Sequence, residues 1–133
     1  MRSLFLLLVL CLSASSTAAA TGTGSGNDLL EQCNTAIRFS DNGKLGEATA
    51  SEAFRIGFCL GLVHGAVETI RAQQIGFGHT EFGCIPDAIE NGQAARIVVK
   101  YLKEHPDQLH QDDALLAISA LRQAYPCSKP VGR

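Results

Sequence analysis

Hydrophobic and polar positions alternate with helical spacing along most of this chain, and one stretch has almost no polar side at all. Phe54 to Glu68, FRIGFCLGLVHGAVE, is apolar nearly all the way round when wound as a helix. That pattern predicts the buried central helix of a small bundle. Thr49 with Glu52 three residues later reads as a capping box that opens this helix, and Arg71 suits its C-terminal end near Ala72. Glycines 57, 61 and 65 recur every four residues and so fall near one stripe. Each costs about 1 kcal/mol against alanine in a helix interior. Three of them on one stripe imply a close neighbour. Packing against helix one or four inside the bundle is favoured, with a flat dimer face as the alternative.

The other elements are amphipathic. Leu29, Leu30, Cys33 and Ile37 share one face of a first helix, capped by Ser25 or Asn27 and ending near Phe39. Ser40 to Gly43 is dense turn chemistry. Ala94, Ile97, Val98, Tyr101 and Leu102 line a third helix that Pro106 stops. Leu115, Leu116, Ile118, Ala120 and Leu121 line a fourth, opened by Asp112 or Asp113 and closed by Tyr125-Pro126-Cys127. Acidic residues are favourable at the positive end of a helix dipole. Between helices two and three, residues 73–83 read as a long loop with three glycines and two phenylalanines. The prediction is an all-α bundle of four to five helices, with no strand.

Residues 1–20 stand apart from this pattern. Arg2, the apolar run Leu4 to Leu12 and Ala18-Ala19-Ala20 have the form of a secretory signal peptide cleaved near Ala20. Residues 21–26, TGTGSG, read as a flexible leader, and 27–128 as the folded domain. The expected mature chain carries ten basic and thirteen acidic residues. It has no basic patch for nucleic acid. Its four cysteines, Cys33, Cys59, Cys84 and Cys127, are an even set in an exported chain, which predicts two disulfides. They lie too far apart in sequence for the usual zinc spacing. If the helices form two antiparallel hairpins, Cys33–Cys59 and Cys84–Cys127 are the favoured pairs. Cys33–Cys127 with Cys59–Cys84 is the competing pattern.

Candidate chemistry is sparse. His64 and Glu68 lie four apart on one helical face, too few for a metal or a catalytic dyad without a third partner. His105 and His110 flank a turn. No nucleophile elbow, zinc-protease motif or phosphate loop is present, so neither an enzyme nor a metal or cofactor is expected. The 73–83 loop is the most function-like segment, because loops on a rigid scaffold often carry binding. Phe77, His79, Glu81 and Phe82 are its candidate partner contacts. The alternative is that both phenylalanines fold back over the core.

Phe58 to Glu68, FCLGLVHGAVE, resembles the central Cys-x-Gly helix of the Rap/Tai family of immunity proteins. Cys84-Ile85-Pro86 resembles that family's Cys-x-Pro, and Gln93 with Ile97 to Pro106 resembles its Tyr-Leu helix and the proline after it. Ala114 to Cys127 resembles its closing helix and Pro-Cys. The resemblance implies a periplasmic, helical, disulfide-bonded domain, often a homodimer. It further implies binding and steric inhibition of a peptidoglycan amidase effector delivered by type VI secretion. The rival expectation is a small periplasmic chaperone of the acid-stress type, or an envelope-binding module. Such a chaperone would expose apolar surface as its carboxylates neutralise.

Overall fold

In the computed structural model, residues 24–78 and 81–127 are described; the expected signal peptide, most of the leader and His79 lie outside them. Four α-helices carry the fold: α1 Gly26–Asn42, α2 Ala50–Phe77, α3 Asn91–Glu104 and α4 Asp113–Ala124. Short 3-10 turns occupy Leu45–Glu47 and Pro106–Gln108. The described residues contain no strand, and one isolated antiparallel bridge joins Ser25 to Asp112. The expected all-α bundle is thus the observed one.

Capping residues set where the helices begin. Ser25, rather than Asn27, caps α1: its hydroxyl accepts from the Asp28 amide at 3.3 Å, and the Asp28 carboxylate accepts from the Ser25 amide at 2.9 Å. Thr49 and Glu52 make the same reciprocal pair at α2, with distances of 3.3 and 3.1 Å. Each pair satisfies two amides that the first turn of a helix leaves without partners. Asp112 caps α4 by accepting from the Leu115 amide at 3.0 Å.

The core is where the apolar stripes meet. Leu29 and Cys33 of α1, Cys59, Val63 and Ile70 of α2, Val98 and Leu102 of α3, and Leu116 and Leu121 of α4 are almost completely buried. Helix α2 packs on α1, α3 and α4. By length and hydropathy α2 also meets the requirement for a membrane span. Its packing on three helices and its disulfide to α1 make it the central helix of the bundle instead. The disulfides are Cys33–Cys59 and Cys84–Cys127, with Cα separations of 5.0 and 4.9 Å. The pairing favoured by hairpin topology is therefore the one formed.

Two expectations about α2 are corrected. The helix does not stop near Ala72 but continues to Phe77, where Gly78 takes the left-handed conformation (φ 66°) that ends it. The segment 85–87 holds its last turns. Gln74 Oε1 accepts from the Ile85 amide at 3.2 Å, and Arg71 donates to the carbonyls of Pro86 and Asp87 at 3.4 and 3.3 Å. Nor is α2 buried all round. Gly57, Gly61 and Gly65 are exposed, and a Cβ at any of them would meet nothing within 4 Å. The glycines face solvent, not a neighbouring helix.

Candidate protein-binding face

The outward side of α2 is the least ordinary surface on the bundle. Residues three and four apart share a helical face. Phe54, Gly57, Phe58, Gly61, Leu62, Gly65 and Ala72 follow that rule, and all of them are exposed or half-buried. Phe54 is 68% exposed, and its ring lies 6.3 Å from that of Phe58. Ile75, 77% exposed, and Phe77, 74% exposed, stand at the far end. At 1.5 Å per residue, Phe54 to Ile75 spans roughly 30 Å. Between the two ends the glycines leave the helix backbone itself at the surface.

Charge is engaged in pairs. Near one end Arg55 pairs with Glu31 of α1, and near the other Arg71 pairs with Glu68. Such a surface, with large apolar side chains at its ends and its charges engaged, has the composition of a protein interface core. Single exposed apolar side chains are ordinary; several gathered along one side of a helix are not. Between Gly65 and Ala72 the face carries half-buried Glu68 and exposed Thr69, whose hydroxyl donates to the Gly65 carbonyl at 2.7 Å.

The four candidate contacts read from the 73–83 segment do not form one loop. Phe77 is the final residue of α2 and is exposed, but it lies five turns on from buried Cys59, in line with the core-facing side of the helix and not with Phe54. Glu81 is exposed in a turn, whereas Phe82 is half-buried and packs on the core. His79 lies outside the described residues. Phe54, Phe58 and Ile75 are exposed or half-buried although the sequence predicts α2 to be buried all round, because an apolar helix with no polar side gives no sign of which way it faces. The signal was present in the glycines: an interior stripe of them would need a partner helix, and none stands there.

Elsewhere the bundle offers little chemistry. Glu68 pairs with Arg71, and His64 is exposed. His105 stacks on Tyr101 with ring centroids 4.1 Å apart, and its Nδ1 lies 2.8 Å from the Tyr101 carbonyl oxygen. Among the described residues no three His, Cys, Asp or Glu side chains gather in a way that could hold a metal ion. A small cleft of about 170 Å³ between α1, α2 and α3 is lined by Ala36, Leu60, Asn91 and Ala95. Asn91 Nδ2 donates there to the Leu60 carbonyl at 3.0 Å. A larger groove of about 550 Å³ beside the start of α2 is lined by Arg38, Glu52, Glu31 and Arg55. Those four charges are already paired across it, Arg38 with Glu52 and Arg55 with Glu31.

Comparison with known proteins gives one match. The sequence model of a family described as Rap1a immunity proteins matches residues 25–127. That span runs from the cap of α1 to the last cysteine and includes all four helices and both disulfides. No curated protein and no solved structure matches the chain.

Proposed function

Because this chain belongs to the Rap1a immunity protein family, we propose that it is a non-enzymatic inhibitor of a toxic effector in the periplasm. The effector is a peptidoglycan amidase delivered by type VI secretion. Inhibition is steric: the bundle covers the amidase cleft and reacts with nothing. The observation that carries this reading is the open apolar face of α2 on a scaffold fixed by two disulfides. A rigid face binds without the cost of ordering a flexible one. Disulfides also fit an oxidising compartment outside the cytoplasm, where the effector's substrate lies.

Phe54 and Ile75 are the anchors of this reading, with Phe58 and the glycine stripe between them, and Phe77 beside the Ile75 end is a rim contact. Glu81, and His79 beyond the described residues, fall close to the Phe77 end in sequence and are proposed as rim contacts. Phe82 supports the core and is assigned no contact.

The test uses the exported, disulfide-bonded chain as bait against effectors secreted by the same organism, read by co-purification and by inhibition of peptidoglycan hydrolysis. One amidase should be retained and inhibited. Phe54→Ala combined with Ile75→Ala should weaken binding by about thirtyfold or more, the loss typical of anchor residues. Retention of no amidase by the native chain sinks the reading. Capture of many unrelated proteins only after acidification would instead identify a chaperone. An amidase held equally well by the double variant keeps the function and moves the site off α2.

A further inference from the structure

Asp113 is a buried carboxylate that the binding face does not use. It is 3% exposed, at the start of α4. Its Oδ1 accepts from the Ala114 amide at 2.7 Å, while its Oδ2 is buried and has no hydrogen-bond partner. A buried anion oxygen left unsatisfied is costly.

Asp113 is covered by the extended strap that leads into α1. The Asp113 amide donates to the Gly24 carbonyl at 3.0 Å, the Gly26 amide to the Gln111 carbonyl at 3.0 Å, and the Asn27 amide to the Leu109 carbonyl at 3.1 Å. The fit is tight. A Cβ on Gly24 would come within 2.5 Å of Asp113 Oδ2, and one on Gly26 within 2.4 Å of Leu116 Cδ1. The charged groups that act on Asp113 from the elements around it are Asp112, its neighbour on the chain, and Asp28 of α1. Both are acidic. Among the described residues the ion pairs are Arg38–Glu52, Lys44–Glu47, Arg55–Glu31, Arg71–Glu68, Arg96–Asp41 and Lys100–Glu104, so none of them reaches Asp113.

We propose that Asp113 is a proton-operated clasp: its neutral form lets the strap 24–25 and the first turn of α1 close on α4, and its ionised form loosens them. Burial, followed by the charges of Asp112 and Asp28, holds the carboxyl above its ordinary value of 3.8, against the pull of the Ala114 amide. A carboxyl raised in this way favours the closed state below its unfolded value, and that stability is lost as pH rises through the folded value. The clasp therefore tightens on acidification, the reverse of the usual response of a paired carboxylate. Loosening stays local, because Cys33–Cys59 ties the second turn of α1 to α2.

The experiment is amide hydrogen exchange on the disulfide-bonded mature chain, followed from about pH 7.5 down to the ordinary carboxyl value of 3.8 and corrected for the intrinsic rate. One linked proton changes an opening equilibrium by at most about tenfold per pH unit. Protection at the Gly26, Asn27 and Asp113 amides should rise on acidification by up to that factor, while Val98 and Leu102 in the core hold steady. Asp113→Asn should give strap protection that is high and flat across the range. Carbon-13 NMR titration of the Asp113 carboxyl in the native chain gives a second readout that needs no variant. A midpoint at or below 3.8 overturns the proposal. So does strap protection that is flat in the native chain, or a slope that survives in Asp113→Asn.

Discussion

Replacing Gly57, Gly61 and Gly65 together by alanine should stabilise the free protein and weaken it as a binder. Each position borders empty space: a Cβ there meets nothing within 4 Å. No steric cost then offsets the helix propensity gain of about 1 kcal/mol per site. Part of that gain comes from restricting the unfolded chain. The three sites lie one turn apart on the exposed side of α2, where added methyls meet only solvent, so the gains should sum to about 3 kcal/mol. For a domain of this size that raises the melting temperature by on the order of 10 °C. The same three methyls stand where a partner would approach the backbone, so affinity for the effector should fall. Thermal melting gives the first quantity and calorimetric titration the second. A triple variant that melts no higher than the native chain refutes the premise that this face is open in the free protein. Sedimentation would then ask whether a second copy covers it.

Other perturbations test the frame. Changing Cys33 and Cys59 to serine opens a loop of 26 residues and should cost about 3 kcal/mol, read by urea unfolding. Gly83→Ala should destabilise by about 1–3 kcal/mol in the same assay. Its backbone sits at φ 110°, and a Cβ would meet the Tyr125 carbonyl oxygen at 2.9 Å. Asp28 is held below its ordinary value of 3.8 by hydrogen bonds from Ser25. Its capping contribution is therefore present above that value and lost as pH falls through the lower folded one. Asp28→Asn should flatten this part of the acid limb below the ordinary value of 3.8, measured by melting at each pH. Asp28 and Asp113 thus respond to acid in opposite senses, and the two variants should separate them.

Much of the fold could be read from residue order. Thr49-x-x-Glu52 announced its capping box because the pair is local, and the disulfide pairing came out once two hairpins were assumed. What failed needed tertiary knowledge. A helix with a polar side declares which way it faces; α2 has none, so its pattern gave depth without direction. Its C-terminal end lies beyond the expected Ala72, in a segment whose glycines read as loop, because Arg71 and Gln74 hold the last turns through residues 85–87. Phe77 is legible as a candidate contact because it is aromatic near glycines, whereas the exposure of Phe54 is hidden inside an apolar run. Asp113 read as a favourable charge at a helix start. Its burial under Gly24 depends on residues 89 positions away, which no local pattern reports.

The two disulfides join neighbours in the chain: the first cysteine of the domain to the second, the third to the fourth. A polypeptide entering an oxidising space N-terminus first presents these thiols in the order 33, 59, 84, 127. When Cys59 arrives, Cys33 is the partner already waiting, and Cys84 has yet to emerge. An oxidant that joins each new thiol to the last free one therefore writes the native pattern in a single pass. Thiol–disulfide reshuffling, which can take minutes to hours without a catalyst, has no wrong pair to correct. A protein that guards against a toxin arriving without warning gains from being ready as soon as its last cysteine is across.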